Sequence, residues 1–302
     1  MNIYIFAIIG STVLFSIQFL IKKLFQKNEG STPGIALFHV FLSTVFSILF
    51  LIIKGGSTFE FTLFSFFIAS LNGIRAVIQT FMTFAILEKA NLSVYSLFSQ
   101  LGGTFLPFVF AILFYNEPLT WQKTVCMILL GVALYCQMYF NDKKNADYGT
   151  QKKSNNRLSI LMLYIGVFVL TGLSGVFAKI NQTAPAEIAV SPSAFTLLEK
   201  LITLLLAGIL ILVFRSNGMQ VRLVKPAKSL FYICTEAVLN TIGNLILLTA
   251  LYHVDASIQY PIVTGGIIIL SLFLEPISGT KPQRQTIIAA VFSCIGLCFL
   301  AL

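Results

Sequence analysis

LSVYSLFSQLGG, residues 92–103, returns in altered form as ASIQYPIVTGGI, residues 256–267. At that 164-residue offset Ser93 falls on Ser257 and Gly102 on Gly266. Both stretches lie in long apolar runs, and each run ends at a Glu-Pro pair, Glu117-Pro118 and Glu275-Pro276. The likeness extends outward. STPG (31–34) opens one run as VSPS (190–193) opens another, and FLIKK (19–23) closes one as VFAKI (176–180) closes another. The chain reads as two related halves.

Composition fixes the class. Of the 302 residues, 57% are hydrophobic and 10% charged, less than half the charge that a soluble domain carries. A helix needs about 20 apolar residues to cross a bilayer. Ten such runs are present, near 3–24, 33–53, 61–87, 91–115, 120–140, 158–180, 191–214, 228–252, 255–274 and 284–301. They lack the two-residue alternation of a membrane barrel. The expected fold is an all-α integral membrane protein of ten transmembrane helices. Residues 1–140 form a first five-helix repeat, 141–157 a cytoplasmic linker loop, and 158–302 a second repeat. Each half has an odd number of spans, so the second repeat must lie inverted. Inverted repeats are a mark of secondary transporters, with substrate held near the midplane.

The net charge of +9 sits mostly in the short gaps. With basic residues at the run ends counted to the adjoining gap, alternate gaps carry 15 and 3 of them, and Arg75 and Lys200 lie deeper inside runs. The positive-inside rule then puts both termini outside. The charge is topological and implies no nucleic acid. The first run has its lysines after it, so it reads as a span, not a cleaved leader. The five cysteines lie inside apolar runs without metal spacing, and no metal or cofactor is expected.

The ten runs, the five-plus-five repeat and the LFYNEP and LFLEP endings resemble the drug/metabolite transporter superfamily, in its ten-helix EamA-like branch. The resemblance covers nearly the whole chain. It implies secondary transport of a small metabolite, without ATP, through a central cavity formed by both halves. One departure is visible: Gly266 is nine residues from Glu275, whereas Gly103 is 14 from Glu117, so run 9 is shorter than run 4.

Charge inside a membrane costs at least ~2.5–3.5 kcal/mol at a helix centre and marks candidate function. Asn72, Arg75, Gln79 and Thr83 lie three and four apart, on one face of run 3. Run 8 repeats the pattern with Glu236, Asn240 and Asn244, and Asn72 aligns with Glu236. Such stripes either glue helices together or line a cavity; the ionisable groups and the repeat relation favour lining. Gln100, Tyr95, Gln259 and Tyr260 flank the Gly-Gly pairs and complete the candidate substrate site. Glu236, Glu199 and His39 are candidates for coupling or gating. Glu199 and Lys200 are neighbours pointing about 100° apart, so each is expected to need its own partner. The Glu-Pro pairs read as structural helix ends.

The favoured function is a plasma-membrane transporter of a small polar, amino-acid-like solute working by alternating access. A membrane-embedded enzyme or a receptor or scaffold is the alternative, though no nucleophile–base or HExxH pattern supports an enzyme. Partners are the substrate and the lipid bilayer, with a coupling proton and a homodimer left open. The topology is testable: reporters fused at Leu302 and within the linker at Tyr148 are expected to report outside and cytoplasm respectively. A cytoplasmic signal at Leu302 overturns the orientation.

Overall fold

The computed structural model describes residues 2–30, 32–53, 60–89, 92–146, 157–185, 187–216, 223, 226–274, 276–278 and 284–301. For some of these, including 92–97 and 137–146, it describes the helical backbone alone. The described residues form ten α-helices: α1 (Asn2–Glu29), α2 (Pro33–Ile53), α3 (Leu63–Lys89), α4 (Leu92–Tyr115), α5 (Trp121–Ala146), α6 (Arg157–Thr183), α7 (Pro192–Ser216), α8 (Pro226–Ala250), α9 (Ala256–Leu274) and α10 (Arg284–Ala301). No strand occurs among the described residues. Eight helices are long and apolar enough to cross a membrane; the apolar stretches of α5 and α10 are shorter, Trp121–Ala133 and Ile287–Leu300. Helix is the expected answer in lipid, because each peptide group satisfies its neighbour's hydrogen bond within the segment.

The helix ends follow local chemistry. Thr32, Thr62, Thr120 and Ser191 each accept a hydrogen bond from a backbone N–H three residues on, and so cap α2, α3, α5 and α7. Proline stands first in α2, α7 and α8, where its missing N–H costs nothing. Gly30 and Asn116, with φ of 85° and 51°, turn the chain out of α1 and α4. One boundary departs from expectation. α5 runs on to Ala146 and α6 begins at Arg157, so the linker expected at 141–157 loses residues 141–146 and Arg157 to helix. NDKKNA contains no helix breaker before Gly149, so a polar helix end continues past the apolar span.

α3 and α4 pack on α6, and α3 also on α7. α8 packs on α1 and α2, and α9 on α1. Two four-helix groups result, α3/α4/α6/α7 and α1/α2/α8/α9, each drawing helices from both halves of the chain. They meet along α2–α7 and α4–α9, while α5 and α10 pair with each other beside them. Large apolar side chains stay exposed on the outside, among them Phe6, Phe67, Ile128, Leu205 and Leu212, as a lipid-facing surface requires.

Glycine sets the closest crossings. A Cβ on Gly102 would lie 1.9 Å from the Phe168 carbonyl oxygen of α6, and one on Gly266 would lie 2.6 Å from the Thr12 side chain of α1. α4 touches α6 as α9 touches α1. Interior hydroxyls mostly bond back to their own helix. Thr12, Ser16, Thr44, Ser47, Thr203 and Thr241 all donate to the carbonyl four residues earlier.

Gly102→Ala is expected to destabilise the protein by about 1–3 kcal/mol or more, since the clash is with backbone that cannot rotate away. Gly131→Ala, where a Cβ meets nothing within 4 Å, is expected to leave stability unchanged. Thermal unfolding in detergent checks both; equal melting temperatures for the two variants would refute the close crossing.

Candidate functional site

Polar side chains in the span interior gather into two networks, one in each four-helix group. The first is centred on Arg75 of α3. Its Nε donates to Asn72 Oδ1 at 2.6 Å, and its Nη1 donates to Gln79 and to the Leu170 carbonyl of α6. Asn72 Nδ2 passes the chain of bonds to Glu199 Oε2 on α7 at 2.8 Å. Gln79 Nε2 donates to Thr171 on α6 at 2.8 Å, and Thr171 meets Ser99 of α4 at 3.2 Å. The three-and-four spacing on α3 brings these groups to one face, and four helices share the network. Arg75 Nη2 has no hydrogen-bond partner among the described residues.

Glu199 takes Asn72 as a partner, as expected, but Lys200, contrary to expectation, pairs with Glu199 itself. Lys200 Nζ lies 3.3 Å from Glu199 Oε1. A long lysine side chain folds back across the 100° between them, because an ammonium in this setting needs the nearest carboxylate. With Glu199 set against Lys200, the network of Arg75, Lys200 and Glu199 keeps one net positive charge.

The second network is centred on Glu236 of α8. His39 Nε2 of α2 lies 2.6 Å from one carboxylate oxygen, and Lys22 Nζ of α1 lies 3.9 Å from the other. Gln18, one turn before Lys22, also hydrogen-bonds the carboxylate. His39 and Glu236 are buried, and the Phe25 ring covers His39 at 4.9 Å. Further along α8, Asn244 Nδ2 donates to Asn240 Oδ1 at 2.7 Å. Arg75 and Glu236 therefore belong to separate networks and share no hydrogen bond. The acid that serves the Arg75 network is Glu199.

The two networks run through helices that the 164-residue sequence offset pairs. Asn72–Glu199 joins α3 to α7, and Glu236–His39 joins α8 to α2. Asn72 and Glu236 are the aligned positions of the sequence. The carboxylate has changed sides: it stands on α7 in one network and on α8 in the other.

Other predicted residues divide. At the α4–α9 crossing Thr104 hydrogen-bonds Thr264, and Gln100 Oε1 is enclosed without a partner. Gln259 is fully buried and donates to the Leu247 carbonyl at 3.0 Å, and Tyr260 donates to the Gly175 carbonyl at 3.1 Å. Both fasten helices together. The side chain of Tyr95 lies outside the described residues. Lys22, Gln18, Thr171 and Ser99 escaped the sequence reading. Gln18 and Lys22 do stand four apart in run 1, but Lys22 belongs to a Lys-Lys pair that reads as an orienting charge. A cleft of about 570 Å³ between α4, α5 and α9 is lined almost wholly by apolar side chains such as Phe105, Phe108, Leu113 and Ile128. It suits hydrocarbon and not a polar solute. No group of three His, Cys, Asp or Glu side chains among the described residues could hold a metal ion.

No family model matches the chain, and no curated protein matches it. Among solved structures 28 chains match. One, described only as "Crystal structure of protein", superposes with a TM-score of 0.70 at 13% identity, over 96% of this chain and 96% of its own. The chain thus shares its fold, over nearly its whole length, with a solved structure of very different sequence.

Proposed function

We propose that the protein is a secondary transporter of a small, polar, carboxylate-bearing solute, amino-acid-like in character, working by alternating access. In this reading all ten helices span the plasma membrane, as two inverted five-helix repeats of the EamA-like kind, with both termini outside. The exchange of helices between the four-helix groups supports the repeat: α3 with α6 and α7 is matched by α8 with α1 and α2.

One observation carries the substrate reading. Arg75 sits near the middle of α3 in a network of net positive charge, with one arm of its guanidinium unoccupied. A carboxylate completes such an arrangement through a forked, charge-assisted bond. Glu236 is already held by His39 and Lys22, so it is no vacant ammonium site. Lys22 is its looser partner, at 3.9 Å and with a side chain 30% exposed. An incoming substrate ammonium can replace the Lys22 ammonium like for like, leaving His39 in place.

Counterflow of a labelled metabolite panel into vesicles holding the purified protein tests the function. Product formation without movement across the membrane would favour an enzyme instead. For a substrate found in that screen, Arg75→Lys keeps the charge and loses the fork. It is expected to weaken apparent affinity about 10- to 100-fold, the scale of a charge-assisted hydrogen bond; unchanged affinity removes Arg75 from the site. In the same reading Glu236 carries a coupling proton, and Glu236→Gln, whose amide cannot, is expected to abolish accumulation driven by a pH gradient. Accumulation in wild type that survives an uncoupler ends the proton reading.

A further inference from the structure

The bonds between the two four-helix groups are concentrated at one end of the molecule, where α4 stops and α9 starts. Glu117 is the centre. Asn116, in the left-handed region, turns the chain so that the Glu117 N–H folds back on the Ala111 carbonyl. The side chain then points at the first turn of α9. It accepts from the backbone N–H of Ala256 at 3.1 Å, the N–H of Ser257 at 3.0 Å and the Ser257 hydroxyl at 2.6 Å. Its other contact is Lys179 of α6, at 3.0 Å. The carboxylate belongs to the loop after α4, in the first group, and the α9 start to the second.

Neighbouring contacts reinforce this end. Lys123 of α5 pairs with Asp255 at 3.1 Å, and Tyr260 of α9 reaches the Gly175 carbonyl of α6. Beneath lies one apolar core built from both groups, including Ile68, Ala111, Phe195, Leu248 and Ala256. Toward the opposite end the cores divide. Ile86, Tyr164 and Val167 pack within the first group, and Phe25, Ile35 and Ile233 within the second.

We propose that Glu117 is a latch: its carboxylate ties the start of α9 to Lys179 and holds this end of the molecule shut over the Ala111 core. The need for it to open rests on the transport reading, since solute can leave by this end only if α9 parts from α4 and α6. Burial alone would push the Glu117 carboxyl up, but the Ser257 hydroxyl and N–H and the Lys179 ammonium bring it below the usual carboxylate range. The groups around it are Lys179, Tyr260 and the Lys123–Asp255 pair, with the Tyr115 ring 5.7 Å from the Lys179 ammonium. A depressed carboxylate keeps its stabilising contacts as pH falls through the ordinary carboxylate range, and loses them only below it. The latch therefore opens by motion of α9, not by protonation near neutral pH.

The test needs no substrate, so it stands apart from the uptake assays. The five native cysteines are replaced, and a single cysteine is placed at Ala111 or at Ala289. Both positions are fully buried, Ala111 under the latch and Ala289 in the core that α5 and α10 form with Ile268, near the far end of α9 from the latch. Maleimide labelling is then timed on protein in lipid vesicles. Glu117→Gln and Lys179→Gln are expected to speed labelling at 111 about tenfold or more, the scale of losing charge-assisted bonds, while 289 stays protected. Ser257→Ala, which leaves the ion pair, is expected to give a smaller rise at 111. Should Glu117→Gln fail to fold, Ser257→Ala decides alone: a selective rise at 111 supports the latch and no rise overturns it. Equal protection at 111 in every variant, or 111 and 289 becoming reactive together, also overturns it.

Discussion

A charge inside a bilayer must bring its own neutraliser, and the interior of this protein is arranged around that constraint. Solvation by water is missing, so an isolated ion is costly and a half-paired one nearly as bad. Arg75 and Lys200 meet the requirement only in part, sharing the one carboxylate of Glu199, while Asn72 and Gln79 relay hydrogen bonds across helices. Glu236 meets it directly, with His39 and Lys22. Each solution ties together helices distant in sequence, and so each helps to fix which helix lies beside which. The apolar surfaces alone would tolerate several packings, since lipid tails compete with leucine for leucine.

The consequence is a division between the two networks. That of Arg75 keeps a surplus positive charge and an unused donor. That of Glu236 holds two buried ionisable groups at 2.6 Å, with the Lys22 ammonium as a third charged group at its edge. The first network carries more cations than carboxylates, and the second pairs its carboxylate closely. The two helices that carry the polar stripes, α3 and α8, thus hold unlike chemistry.

Much of the helical layout was legible in the sequence because it rests on length and hydropathy. Ten apolar runs gave helices near the expected positions, and the misjudged edge at Ala146 lay where polarity, not helix propensity, had drawn the boundary. The polar stripes on α3 and α8 were legible because three-and-four spacing is a local property. Partners were not. Nothing local says that Glu199 reaches Asn72 across two helices, or that Lys22 leaves the interface for Glu236. Gln259 and Tyr260 looked like lining because their polarity was visible, while the carbonyls they bond, at Leu247 and Gly175, carry no signal in a sequence. Glu117 was recognised as a helix end, but the helix it serves most is α9, some 140 residues away.

The hydroxyls that bond back to their own helix bear on how such a chain diverges. Thr12, Ser16, Thr44, Ser47, Thr203 and Thr241 present little polarity to their neighbours, since the donor is turned inward to the carbonyl four residues earlier. To an adjacent helix each resembles alanine or valine. Substitution among these small residues changes the written sequence and hardly alters the surface that another helix meets. Positions of this kind can drift independently of one another, without a compensating change elsewhere. That is one physical route by which two chains come to agree at 13% of their residues and still superpose over 96% of their length.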